Sequence, residues 1–138
     1  MSRAIENLQE ALQRAFVGRP DVGGFPYLAE TLRQAGVTRN IWSLPGCQSL
    51  YITDAGPVVA QGQPLVSGAT DVPAFNEQML IGALRRDQAG KSSFPEFLNA
   101  SWAAGVVRYE VDLRARTVSY FGCNDETYVE SYPAVEVK

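Results

Sequence analysis

The segment FPYLAETLRQAGVTR (residues 25–39) recurs 69 residues later as FPEFLNASWAAGVVR (residues 94–108). Six of the fifteen aligned positions are identical, whereas average composition gives about one. The offset is half of the 138-residue length, which predicts an internal duplication with repeats of approximately 1–69 and 70–138. A chain of this length is expected to form a single domain with its own core.

Both copies of the repeated segment carry the signals of a helix that leads into a strand. Ser93 and Glu96 have the spacing of a capping box, and Pro95 falls in the first helical turn, where its missing N–H costs nothing. Gly36 and Gly105 stand where a helix ends in the left-handed conformation. A strand is predicted directly after each glycine.

The rest of each repeat predicts one further helix and two further strands. Apolar residues at helical spacing predict a helix over 2–16 and a partner over about 73–88, the latter capped by Asp71. Alternating segments bounded by turn residues predict strands at 37–44, 48–53, 58–60, 106–113, 117–121 and 127–132. The short connections between these strands favour antiparallel pairing. We therefore expect an α+β fold in which an ααβββ unit occurs twice, with an antiparallel sheet and pseudo-twofold symmetry.

Composition excludes several classes of protein. Fifteen acidic and twelve basic residues give a net charge of −3, and the basic residues are scattered, so no nucleic-acid partner is expected. The chain has no histidine, which excludes Ser-His-Asp and Cys-His catalytic arrangements and imidazole metal ligands. Cys47 and Cys123 lie far apart and are expected to be reduced, buried thiols. We expect no cofactor and no metal site, and we identify no catalytic residue.

The chain shows no signal for a membrane or for export. Its apolar stretches are much shorter than the roughly 20 residues that a bilayer crossing needs. The first seven residues, MSRAIEN, carry acid and amide side chains where a signal peptide would begin its apolar core. We therefore expect a cytoplasmic protein without a membrane partner.

Several segments resemble a known family. The segments are GFPYL (24–28), AGVTR (35–39), CQSLY (47–51), SFPEF (93–97) and RTV (116–118). They are similar to the YdfO/YbcV-like family of small uncharacterised enterobacterial prophage-associated proteins, some of which are labelled phage envelope protein. The resemblance spans essentially the whole chain. It implies a compact α+β fold and a prophage association, and it brings no functional residues to carry over.

Two arginines at matching positions form the only symmetric constellation in the chain. Arg39 and Arg108 could converge on the pseudo-twofold axis and hold a small anion between their guanidinium groups. Alternatively, each pairs with a carboxylate on a solvated sheet face. The aromatic residues Trp42, Tyr51 and Tyr120 could line the same groove between the repeats, or pack in the core. These five residues are the predicted ligand-binding site.

Other reactive side chains have simpler interpretations. Cys47 follows a Leu-Pro-Gly turn and could be a nucleophile, but without histidine its activation would need a cation or a helix N-terminus. Asp125, Glu126, Glu130 and Glu136 could form a metal site or a general-acid pair. A polar turn followed by an edge strand made soluble by charge is the favoured interpretation of these acids.

The sequence favours a non-enzymatic binding module. Its partner would be a host or phage protein, or a small anionic ligand, held in the groove between the repeats. The alternative is an enzyme that uses tyrosine, arginine and carboxylate groups in the same groove. A self-associating virion component is a weaker alternative, and a homodimer is also considered.

Overall fold

The computed structural model describes residues 2–137, which form four helices and six strands. The helices are α1 (Arg3–Gly18), α2 (Gly24–Gln34), α3 (Glu77–Gln88) and α4 (Phe94–Ala103). The strands are β1 (Val37–Ser43), β2 (Gln48–Thr53), β3 (Val58–Gln61), β4 (Arg108–Asp112), β5 (Thr117–Phe121) and β6 (Thr127–Ser131). The elements occur in the predicted order.

The six strands form one sheet in the order β3-β2-β1-β4-β5-β6, and each neighbouring pair is antiparallel. The predicted α+β class and antiparallel sheet are therefore confirmed. β1 and β4 join the two halves of the chain at the centre of the sheet. Their register places Arg39 opposite Asp112 and Ser43 opposite Arg108.

The helices pack on one face of the sheet and leave the other face uncovered. Successive side chains of a strand point to opposite faces, so every second residue enters the core. The core cluster contains residues of all four helices and of the sheet, including Leu8, Leu32, Leu84, Phe97, Tyr51, Tyr109, Val111, Val118 and Tyr120. On the opposite face, which we call the uncovered face, no strand residue from Arg39 to Ser131 is buried.

Helix α3 begins later than the sequence predicts. The prediction of a start near 73 with Asp71 as its cap is wrong, because Asn76 is the cap and its side chain accepts a hydrogen bond from the Met79 N–H at 3.0 Å. Asn76 has an extended backbone, and its N–H donates to the Ala104 carbonyl at 2.8 Å. This contact with the end of α4 removes residues 73–76 from the helix.

Other helix ends agree with the sequence. Ser93 and Glu96 form the predicted capping box of α4, with both of its hydrogen bonds present. Gly36 and Gly105 follow α2 and α4 with φ of 94° and 87°. Non-glycine residues rarely adopt such angles, so both glycines are needed to turn the chain from helix to strand.

The apolar stretches of the sequence are too short to predict a membrane-spanning helix. Within residues 2–137, no helix combines the length and the apolar composition that would let it span a bilayer.

We expect Gly105→Ala to destabilise the fold much more than Gly36→Ala. Both substitutions place a Cβ at positive φ, which costs about 1–2 kcal/mol. A Cβ on Gly105 would also lie 2.5 Å from Phe75 Cα, whereas a Cβ on Gly36 would meet only the Asp54 carboxylate at 3.2 Å. A side chain can move away more easily than a backbone. Urea denaturation of the two variants checks this, and equal losses would contradict it.

Candidate functional site

The five residues of the predicted site lie on two different faces of the sheet. Arg39 and Arg108 are on the uncovered face. Trp42, Tyr51 and Tyr120 point toward the helices, where Tyr51 and Tyr120 are buried and Trp42 packs against the core. The structure therefore brings the two arginines to one surface and the three aromatic residues to another.

Each arginine on the uncovered face has its own partner. Arg39 Nη2 donates to Glu110 Oε1 at 2.9 Å, and the guanidinium carbon of Arg108 lies 3.9 Å from the centre of the Phe121 ring. The pair Ile41–Glu110 lies between the two arginines in the register of β1 and β4. Arg39 therefore pairs with a carboxylate, as the second interpretation of the sequence expects, whereas Arg108 makes a cation–π contact.

The aromatic residues form a row across the helix-covered face. Trp42, Tyr109, Tyr120 and Tyr128 stand directly opposite one another on four neighbouring strands. Their ring centres are 6.1, 5.7 and 6.4 Å apart. Burial raises the pKa of both Tyr109 and Tyr120 well above the usual range of tyrosine. This geometry matches the core-packing alternative for Trp42 and Tyr120.

The cysteines are both free, but they differ in exposure. Cys47 is buried, whereas Cys123 is exposed in the turn before β6. The expectation that both thiols are buried is wrong for Cys123, because a polar turn projects it into solvent. Within the described residues, no three His, Cys, Asp or Glu side chains are placed to hold a metal ion.

Among the acids singled out in the sequence, Glu130 has the most contacts. Arg85 of α3 donates to it at 2.7 Å, and the Tyr128 hydroxyl donates to it at 2.6 Å. Arg85 lowers the pKa of Glu130, although burial opposes this effect. The contact ties the edge strand β6 to α3, which is a structural role.

A concave feature with an apolar lining lies between α3 and α4. It has a volume of about 560 Å³ and is lined by Ala83, Arg86, Ser92, Pro95, Glu96, Phe97, Asn99 and Ala100. We call it the α3–α4 groove. Its floor is apolar, and Arg86, Glu96 and Asn99 supply polar groups at its rim. A cleft of this size is within the range of small-ligand and side-chain sites.

An aromatic side chain of α2 spans the space between α1 and α2. Tyr27 starts from the first turn of α2 and reaches the last turn of α1, where its hydroxyl lies so close to Gly18 that a Cβ there would overlap it. In the repeated segment, Tyr27 corresponds to Glu96. Glu96 turns back to cap its own helix, so its side chain does not cover the α3–α4 groove.

One carboxyl group borders the loop end of the α3–α4 groove. Asp87 is half-buried, and the Ser92 hydroxyl donates to its Oδ1 at 3.4 Å. Burial raises the pKa of Asp87. A second, polar depression of about 610 Å³ lies at the other end of the first half, near Asn7 and Asp54. The Asn7 amide already donates to the Ala35 carbonyl there at 2.8 Å.

The groove was missed in the sequence, although a signal for it was present. The repeated segment reads Pro26-Tyr27 in the first copy and Pro95-Glu96 in the second. The positions that are identical between copies drew attention to Arg39 and Arg108, whereas the groove depends on a position that differs.

Comparison with known proteins places the chain in a family. Residues 13–131 match DUF1398, described as protein of unknown function. The chain belongs to the DUF1398 family. Relatives include the uncharacterized protein Mb2035 of Mycobacterium bovis and the uncharacterized protein Rv2012 of Mycobacterium tuberculosis, each 59% identical over 136 residues. The aligned region covers 99% of this chain and 83% of each relative.

The resemblance to the YdfO/YbcV-like enterobacterial prophage family is therefore wrong. The family shown is DUF1398, and the relatives above are mycobacterial. The segments that carried the resemblance include GFPYL and SFPEF, which start helices, and AGVTR, which ends one. Many unrelated α+β proteins need such signals, so they discriminate poorly between families.

We expect Glu30 to make the stability of the fold depend on acidic pH. Arg33 donates to the Glu30 carboxylate at 2.6 Å and lowers its pKa from 4.5 to about 2. An acid with a depressed pKa stabilises the fold above the pKa of the unfolded state, and this stabilisation is lost as pH falls through the folded pKa.

Glu30→Gln tests this dependence. Its loss in free energy of unfolding should be on the order of 1–3 kcal/mol at about pH 6 and should shrink toward zero near pH 2. Urea denaturation across this range measures it, with Glu10→Gln, an exposed position on α1, as the control. A loss for Glu30→Gln that does not change with pH would contradict the assignment.

Proposed function

We propose that the chain is a non-enzymatic binding module built from two copies of one ααβββ unit. Its binding site is the α3–α4 groove, which takes an aromatic side chain of a partner protein. The observation that carries the proposal is the exchange of Tyr27, which covers the space between α1 and α2, for Glu96, which does not cover its counterpart.

The register at the centre of the sheet supports the duplication. Residues that correspond in the two units differ by 69 in number. Arg39 therefore corresponds to Arg108, and Asp112 corresponds to Ser43. Arg39 pairs with Asp112 in the sheet, and Arg108 pairs with Ser43 in the same way. The pair Ile41–Glu110 maps onto itself under the same correspondence. A twofold axis through this pair accounts for such a register, and it also accounts for the mirrored strand order on the two sides.

Backbone conformation supports the duplication independently. Three pairs of residues separated by 69 have positive φ in both members: Gly36 and Gly105, Cys47 and Arg116, Gly56 and Asp125. Cys47 and Arg116, at 50° and 56°, are not glycines and tolerate the angle at some cost. Strained angles at matching positions point to a common backbone that both copies inherited.

A circular permutant tests the twofold arrangement. Residues 62–76 connect the end of β3 to the start of α3. Under the twofold symmetry, a connection from the end of β6 to the start of α1 would follow an equivalent path. The β3–α3 connection has fifteen residues, whereas residues 132–138 joined to residues 1–2 would supply only nine. A permutant that begins at residue 70, with about six Gly/Ser residues inserted between 138 and 1, is expected to unfold cooperatively with nearly native stability.

The permutant has a matched control. The same linker with the chain opened after Ala55, in the β2–β3 turn, cuts through a unit and should be less stable. Urea denaturation followed by circular dichroism compares the two. A permutant opened at 70 that fails to fold, beside a control that folds, would overturn the arrangement.

The chemistry of the groove suits an aromatic anchor. Ala83, Phe97 and Ala100 provide an apolar surface, and a ring that enters the groove is removed from water. Arg86 and Glu96 lie at the rim and are exposed, so each can pair with an opposite charge beside the anchor. Buried aromatic anchors with polar surroundings are typical of residues that carry most of an interface's binding energy.

The acids with lowered pKa values are consistent with a binding role. Arg33 lowers the pKa of Glu30, Arg85 lowers that of Glu130, and Ser93 lowers that of Glu96. Each of these contacts fixes a helix or a strand. The perturbed carboxylates are therefore explained by structural contacts, without assigning them a role in acid–base chemistry.

We expect p-cresol, the side chain of tyrosine, to bind the α3–α4 groove. About eight non-hydrogen atoms contributing roughly 0.5 kcal/mol each give a Kd in the millimolar range. NMR chemical-shift changes at the methyl groups of Ala83 and Ala100 measure this binding. Glu96→Tyr should abolish it, because the new ring fills the groove from within the same chain.

Tyr27→Ala is the reciprocal variant. It uncovers the space between α1 and α2 and should create a second cresol site beside Gly18, while the α3–α4 groove keeps its affinity. Cresol-induced shifts that persist at Ala83 and Ala100 in Glu96→Tyr would contradict the proposal, as would shifts confined to other surfaces.

A further inference from the structure

An exposed apolar patch lies at the end of α1. Phe16, Val17 and Val22 are 74%, 76% and 65% exposed, and they account for three of the eight exposed large apolar residues among those described. We call these three residues the Phe16 patch. Single exposed apolar side chains are ordinary, but a cluster within seven residues indicates a contact surface.

The Phe16 patch and the α3–α4 groove lie at neighbouring loops of the helix layer. The α1–α2 connection contacts the α3–α4 connection, since a Cβ on Gly90 would come within 2.7 Å of the Asp21 carbonyl oxygen. Ser92, at the loop end of the groove, is two residues beyond Gly90. The molecule therefore presents an exposed aromatic side chain, with only the Arg19 guanidinium over its ring, and an open groove at neighbouring loops.

We infer that Phe16 of a second copy of this chain fills the α3–α4 groove, and that two copies exchange this contact reciprocally. The inference rests on the proposed function of the groove and names its partner. A reciprocal contact uses the same surface on both copies and closes as a dimer, whereas a one-way contact would propagate into a filament.

The charges beside the two surfaces are complementary. The guanidinium carbon of Arg19 lies 5.4 Å from the centre of the Phe16 ring, whereas Glu96 lines the groove, and both are exposed. In the described part of the chain neither of these two residues belongs to an ion pair. Arg19 of one copy can thus meet Glu96 of the other across the interface.

The area of the contact also favours reciprocity. One phenylalanine with two valines covers only part of the roughly 1,200 Å² at which specific protein interfaces begin. Two symmetric contacts double the buried area without requiring a second kind of surface. This is the arrangement in which a small patch and a shallow groove can hold two copies together.

Sedimentation equilibrium of the full chain, from about 5 to 500 μM, tests the inference. The wild-type protein is expected to dimerise in this range. Phe16→Ser should weaken the dimer at least tenfold because it removes the anchor, and Glu96→Tyr should do the same because it fills the slot in cis. Val59→Ser, at a residue on β3 that is 60% exposed, is the control and should leave the dimer unchanged.

Exchanging two opposite charges across the interface gives a second test, because recovery of dimerisation in the double variant cannot result from a loss of folding. Arg19→Glu and Glu96→Arg should each weaken dimerisation several-fold, and the double variant should recover most of the loss. Thermal unfolding of each variant shows whether it is folded. Recovery in the double variant supports contact between Arg19 of one copy and Glu96 of the other, and no recovery would contradict it.

The outcomes separate this inference from the proposed function. A wild-type protein that stays monomeric but binds p-cresol in the groove overturns the inference and leaves the proposed function standing. A monomer that does not bind p-cresol overturns both. A dimer that is insensitive to both Phe16→Ser and Glu96→Tyr overturns the inference, because the copies then meet through another surface.

Discussion

Five residue pairs between β1 and β4 hold the two halves of the molecule together in a single sheet. These are the strands at which the first three strands in the sequence meet the last three. The same pairing brings Trp42 against Tyr109, where the aromatic row crosses from one half to the other. The helices of both halves can share one core only because the β1–β4 pairing aligns the strands beneath them.

A buried polar side chain, Asn40, lies on the strand that pairs with β4 at the centre of the sheet. Asn40 on β1 is buried, and its amide donates to Ser49 Oγ at 2.8 Å and to the Leu50 carbonyl at 3.1 Å. An unpaired amide at this position would be costly. With both bonds formed, the side chain ties β1 to β2, so the central strand is held on one side by Asn40 and on the other by β4.

Much of the fold could be predicted because local signals and tertiary structure agree. Gly36 and Gly105 adopt the positive φ that the helix ends require, and Ser93 with Glu96 forms the capping box that their spacing indicates. The start of α3 could not be predicted in this way. Asn76 reaches its place through a hydrogen bond to Ala104, a contact between distant residues that no local pattern reveals.

The five residues of the predicted site lie on two faces of the sheet, for a reason that the sequence already contained. Arg39 and Trp42 are three residues apart on one strand, so the alternation of side chains places them on opposite faces. Matching positions in the two copies were treated as converging, whereas Arg39 and Arg108 lie on either side of the Ile41–Glu110 pair. Whether these arginines bind an anion remains a prediction, and each already has a partner within the chain.

The last turn of α1 links the two unusual features of the helix layer. α1 ends at Gly18, and this turn carries both Phe16 and Gly18. Gly18 receives the Tyr27 hydroxyl, so this turn completes the cover over the space between α1 and α2. The same turn holds Phe16 out in solvent. One helical turn therefore both contacts the Tyr27 side chain that spans α1 and α2 and carries the exposed aromatic side chain of the Phe16 patch.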